Sequence, residues 1–297
     1  MTEPQQEPPP AYGVRSLGRG LSAVVAPTSL VSGLLYYFGW AHAYWFYDYF
    51  GVDSTVLGFG TVDYLMRSMD ALFVPMTLTA TAGLAALWGH SLLRARLDAG
   101  ARPPVLRVVV PGLAAIGVLM ILAGLWSMVA STFLNAYLAL APLCLALGVV
   151  ALVYVLRLRR LLGPVPSAVL PMLEWAVVFV IVGLSLFWAA TDYAYAVGRG
   201  RARQLVRELP SYPPVTVYSA RSLSLDVPGI TETRCREPQA AYQVRYDGFR
   251  LLPRSGNQYL LLPARWDPAT GVAVVLPRTD SVRLEFAPRA TSRPPSC

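Results

Sequence analysis

The sequence predicts a membrane all-α bundle of five transmembrane helices carrying a small antiparallel β domain at its C-terminal end. Three observations predict it. Five long apolar stretches are separated by short loops, and each reaches the roughly 20 residues that a helix needs to cross a hydrocarbon core of about 30 Å. The side chains are 55% hydrophobic and only 14% charged, and mean hydropathy is positive. Beyond residue 214 the apolar period falls to two and turn residues recur, the pattern of short strands.

Residues 1–20, rich in Pro, Gln and Glu without apolar periodicity, read as a disordered tail. The bundle is expected over residues 21–197, with spans at Leu21–Tyr47, Ala71–Leu93, Val105–Ser127, Leu134–Leu156 and Val169–Tyr195. Inside a bilayer the backbone has no water to bond, so each stretch must close its own hydrogen bonds as a helix. Pro27, Pro75, Pro111 and Pro142 interrupt these runs and are expected to shape packing, since membrane helices tolerate proline where neighbours satisfy the freed carbonyls. The first stretch ends in an aromatic run containing Tyr36, Tyr37, Phe38, Trp40, Tyr44, Trp45, Phe46, Tyr47, Tyr49 and Phe50. Its last members suit the interface, where ring and hydroxyl each find their preferred medium. Ala41-His42-Ala43 matches a small-x-small cleavage pattern, but the preceding run is too long for a signal peptide. The loop from Phe50 is too polar to span, and a short interfacial helix is expected at Val62–Met69.

Gly198–Glu208 carries four arginines and reads as a polar helical stalk within a linker over 198–213, ended by Pro210, Pro213 and Pro214. The β domain is expected over residues 214–288 and a flexible tail over 289–297. Strands are predicted at Val215–Tyr218, Leu223–Leu225, Tyr242–Tyr246, Phe249–Leu252, Gln258–Leu262, Val272–Leu276 and Val282–Phe286. Asp247-Gly248 and Ser255-Gly256-Asn257 read as hairpin turns, and Asp267-Pro268 with Gly271 as a longer one. An antiparallel meander or small, partly open barrel accommodates them.

Basic residues orient the chain. All 25 are arginine. Arg15, Arg19, Arg94, Arg96, Arg102, Arg107, Arg157, Arg159 and Arg160 fall on one side of five spans; the opposite short loops hold only Arg67 beside four aspartates. The positive-inside rule then places the N-terminus in the cytoplasm and the β domain outside. Arg199, Arg201, Arg203 and Arg207 go against that rule without reversing it. An external domain permits a disulfide, for which Cys235 and Cys297 are the candidates; Cys144 falls within the fourth span.

Chemistry is sparse. The two histidines, His42 and His90, fall near opposite membrane faces, and no metal or phosphate motif is present. The β domain has no histidine, which excludes a Ser-His-Asp triad within it. No cofactor, metal or catalytic residue is expected. Nucleic acid is not an expected partner despite a net charge of +8, because the arginines form no basic face interleaved with aromatics. The expected partners are the lipid bilayer and either a protein partner or further copies of the chain. Ionisable groups within spans are functional candidates by default: His42, Asp48 and Asp192 form a candidate polar vestibule at the outer face. Glu174 sits in the first turn of its helix, where the dipole favours an acid. Tyr242, Tyr246, Tyr259 and Trp266 form a candidate interaction surface on the β domain.

The run from Tyr36-Tyr37-Phe38-Gly39-Trp40 through Asp48-Tyr49-Phe50-Gly51-Val52-Asp53, followed by Asp63-Tyr64-Leu65-Met66-Arg67-Ser68, resembles a family of polytopic membrane proteins of actinobacteria. The resemblance implies a bacterial plasma membrane and assigns no activity. Together these readings point to a non-enzymatic accessory or sensory membrane protein whose external β domain binds an envelope component or partner protein. The alternative is a homo-oligomeric pore or small-solute carrier built around the polar vestibule.

Overall fold

A computed structural model describes residues 12–98, 106–130, 132–162, 171–237, 239–252 and 258–287. Five long helices come first: α1 (Tyr12–Asp48), α2 (Thr61–Asp98), α3 (Leu106–Val129), α4 (Leu140–Leu162) and α5 (Pro171–Glu208). Six strands follow: β1 (Val215–Ser219), β2 (Thr231–Arg234), β3 (Val244–Leu251), β4 (Gln258–Pro263), β5 (Val274–Pro277) and β6 (Val282–Phe286). Among the described residues, four segments are long and apolar enough to cross a membrane: Ala71–Arg96, Arg107–Val129, Leu140–Arg159 and Glu174–Ser211. The first expected span, Leu21–Tyr47, lies within α1.

α1 begins at Tyr12, inside the tail expected to be disordered over residues 1–20, and two further boundaries differ from expectation. Val62–Met69 is the first part of α2 and not a separate helix, since nothing between Met69 and Ala71 breaks the hydrogen-bond ladder. Leu134 belongs to a 3-10 turn, Phe133–Ala136; α4 begins only at Leu140, after Ala139 at φ 55°. The polar stalk does continue α5 without interruption, to Glu208. There Pro210 ends it in a 3-10 turn, because proline has no N–H for the next helical bond.

The helices pack in the order α2–α1–α5–α4–α3, and glycines set the close approaches. A Cβ on Gly39 of α1 would overlap the Tyr64 carbonyl of α2, and one on Gly198 of α5 would lie 3.0 Å from the His42 carbonyl oxygen. Between α3 and α4, a Cβ on Gly148 would lie 2.8 Å from the Gly117 carbonyl oxygen. Lipid tails are as apolar as leucine, so membrane helices associate through such close backbone packing and not through hydrophobic exclusion. Large apolar side chains elsewhere point outward, among them Phe73, Trp88, Leu119 and Trp126; apolar surface this extensive suits lipid and not water.

Pro75 shows how a helix defect is repaired. It lies inside α2 and cannot donate to the Ala71 carbonyl one turn back. The Tyr193 hydroxyl of α5 donates to that carbonyl at 3.2 Å. Tyr193→Phe is expected to lower stability by about 1 kcal/mol, measurable as a lower thermal midpoint in detergent.

The sheet is antiparallel throughout, in the order β5-β4-β3-β1-β6. β1 pairs along Val244–Phe249 of β3, so β2 and β4 share the other edge of β3 end to end. Asp247-Gly248 is not a hairpin. It lies inside β3, where Gly248 at φ 107° accompanies a register shift opposite Val215 and Val217. The two predicted strands on either side are therefore one bulged strand. Leu223–Leu225 forms no strand; Leu223 and Leu225 instead cover a core of Val215, Val217, Tyr246, Phe249 and Leu261. β2, four exposed residues, has no apolar alternation to announce it. The expected turn at Ser255-Gly256-Asn257 lies outside the described residues.

Candidate functional site

The most elaborate arrangement in the molecule is the joint between the helices and the sheet. The aromatic run makes the C-terminal end of α1 bulky and apolar, and the chain then turns tightly through Gly51 at φ 72°. Asp53 caps a 3-10 turn (Ser54–Leu57) by accepting from the Thr55 N–H and the Thr55 hydroxyl, both at 2.9 Å. Those two donors hold its carboxyl below the ordinary carboxylate range. Gly58 at φ 68° closes that turn. Asp63 Oδ2 then accepts the Gly60 N–H at 2.8 Å as α2 begins, a cap that favours helix initiation.

Upon this platform rests one face of β4. Leu252, Leu260, Leu262 and Trp266 share a core with Tyr47, Phe50, Leu57 and Tyr64 from the α1–α2 end, with Ala202 and Leu205 from α5 and with Leu209 from the 3-10 turn after it. Trp266, 6% exposed, places its ring 5.0 Å from that of Phe50 and 5.9 Å from that of Tyr49. Gln258 Nε2 donates to the Val56 carbonyl at 2.8 Å, a second link between strand and turn. Beneath, Arg67 Nη2 donates to the buried Tyr47 hydroxyl at 2.9 Å and its guanidinium sits 4.4 Å from the Phe59 ring centre, a cation–π contact. Leu261, between Leu260 and Leu262, points into the other core. β4 is thus apolar on both faces, one for its own domain and one for the helices.

Each residue expected to form the vestibule has neighbours of its own. His42 is buried in a stacked column between Phe38 and Phe46, with ring centres 5.9 and 6.4 Å away. Asp48 forms an ion pair with Arg199 at 2.8 Å. Arg199 also lies 5.8 Å from the Trp45 ring and 5.5 Å from that of Tyr195. Asp192 is half-buried on α5, where its neighbour Thr191 is hydrogen-bonded to Tyr37 at 2.8 Å. At the other end of α2, His90 Nδ1 lies 3.3 Å from the Tyr154 hydroxyl of α4.

The four candidate surface residues separate. Trp266 belongs to the joint. Tyr246 is fully buried, its hydroxyl accepting the Leu223 N–H at 2.7 Å. Only Tyr242 and Tyr259 reach the surface, each with an arginine over its ring: Arg283 at 5.2 Å and Arg278 at 5.1 Å. Alternation along a strand names the residues that share a face, and packing decides which face is covered. Cys235 is disulfide-bonded and Cys144 is free; Cys297 lies outside the described residues. Among the described residues, no group of three or more His, Cys, Asp or Glu side chains gathers as a metal site would require.

Fold and joint define a class: a layer of long apolar helices with an antiparallel β domain docked on one end through a shared aromatic core. No protein family, curated protein or solved structure matches the chain.

Proposed function

We propose that this chain is a five-span bacterial plasma-membrane protein that holds its β domain outside the cell, where the domain binds an acidic envelope component or partner protein. It carries out no catalysis of its own. The observation that carries this reading is the shared core of the joint. A domain tethered by a loose linker would reorient freely, whereas one that buries Trp266 and Leu260 against the helix ends has a fixed stance on the membrane. Charge supports the acidic character of the partner. After residue 197 the chain has fifteen arginines against eight acidic residues, and a field of one sign favours partners of the other. Arg201, Arg203 and Arg207 are exposed along α5, and Arg278 covers Tyr259.

The test is the composition of the complex extracted gently from native membranes, beside reporter fusions at Arg201. A stoichiometric second component and an external reporter are expected. Cytoplasmic reporter activity would overturn the reading. So would a complex of this chain alone whose solute flux is lost in Asp192→Asn, which would establish the pore instead.

A further inference from the structure

We infer that β6 pairs antiparallel with β6 of a second copy of this chain, so that the β domain dimerises through a continuous sheet. The inference goes beyond the proposed function and stands whatever the domain binds. It starts from the ladder. The Ala220 N–H bonds to the Ser281 carbonyl and the Ala287 N–H to the Pro214 carbonyl, so the odd-numbered residues of β6 direct their backbone groups toward β1. Leu284 and Phe286 then direct both backbone groups outward, and Val282 its carbonyl, while the Val282 N–H is used by Thr279. β6 has no partner on that side among the described residues. A row of outward donors and acceptors is a template for another strand.

Natural edges are often blunted by proline or by charged side chains. The opposite edge, β5, ends in Pro277. β6 has no proline, and its charges are arranged differently: Arg283 and Glu285 flank Leu284 symmetrically. A two-fold axis at Leu284 sets each Arg283 opposite the other copy's Glu285. It also sets Leu284 opposite Leu284, and each Val282 opposite Phe286. Opposite charges directly across a strand pair are stabilising, and like charges are not. Four backbone bonds close, two between the Leu284 residues and two from Phe286 N–H groups to Val282 carbonyls. The apolar face extends at the same time. Val282 and Leu284 already pack on the domain core, whereas Phe286 on their face is 59% exposed. The second copy's Val282 would cover it.

Paired residues that exchange both backbone bonds lie about 5.5 Å apart at Cα, within disulfide reach. Leu284→Cys in membranes treated with copper phenanthroline is therefore expected to give a covalent dimer, and Val275→Cys on β5 is not. In the Leu284→Cys background, Arg283→Glu sets glutamates opposite each other and Glu285→Arg sets arginines opposite each other. Each alone should reduce crosslinking at least about fivefold. Within one chain Arg283 also pairs with Glu285. Co-expressed, the two variants restore both opposite-charge pairs between copies while that pair within each chain stays broken, so mixed dimers should exceed either self-dimer. Absence of a Leu284→Cys dimer would overturn the inference, as would crosslinking indifferent to these charge changes.

Discussion

Trp266→Ala is expected to undock the β domain and to lower stability by about 3–5 kcal/mol, the range for removing a buried large aromatic side chain. The ring fills the space between Tyr49, Phe50 and the turn at Gly271, where an added Cβ would lie 2.6 Å from Trp266 Nε1. Loss of the ring leaves a cavity where the sheet meets the helices. The measurement is thermal unfolding in detergent together with limited proteolysis. A much lower midpoint and new cleavage between α5 and β1, around Tyr212–Pro214, are the expected result. Trp266→Phe should retain most of the stability, because Trp266 Nε1 has no hydrogen-bond partner among the described residues and the smaller ring loses packing alone. A domain equally protected in Trp266→Ala would show that the joint does not fix its stance.

Gly39→Ala should also be disruptive, although it adds a single methyl group. That methyl would overlap the backbone carbonyl of Tyr64, and a backbone carbonyl cannot rotate away as a side chain can. Either α1 and α2 separate or both helices shift, and overpacking of this kind lowers stability by about 1–3 kcal/mol, occasionally more. The control lies within α2. Gly83 and Gly89 have nothing within 4 Å of an added Cβ, so alanine there should be neutral or slightly stabilising, as glycine is the weaker helix former. Thermal midpoints of the three variants, measured side by side, decide the matter. Equal effects at all three positions would remove the close α1–α2 approach from the account.

Much of the architecture was legible because its signals are local. A run of about 20 apolar residues has one structural outcome in a bilayer, whatever lies elsewhere in the chain. The proline-rich break at the end of α5, the polar stalk and the period-two pattern at Val282–Phe286 carry their outcome in a few neighbouring residues in the same way. The errors also arose from locality. Asp247-Gly248 supplies the same positive φ to a hairpin and to a bulge, and only the neighbours of β3 on both edges choose the bulge. The apolar run Leu260–Leu262 announced a strand without saying that its two faces serve different cores.

By itself, then, the sequence determined the long apolar helices, the C-terminal strands and the absence of a triad in the β domain. Tertiary structure alone decided the joint, which unites side chains between Ala43 and Tyr64 and between Ala202 and Leu209 with Leu252, Leu260, Leu262 and Trp266. It decided the ion pair of Asp48 with Arg199 across 151 positions, and it moved Tyr246 and Trp266 from an expected surface into two separate cores. The reason is physical. Periodicity and length report how a segment meets its surroundings, lipid or water, core or solvent. Which distant segment supplies those surroundings depends on packing that no single stretch of chain contains.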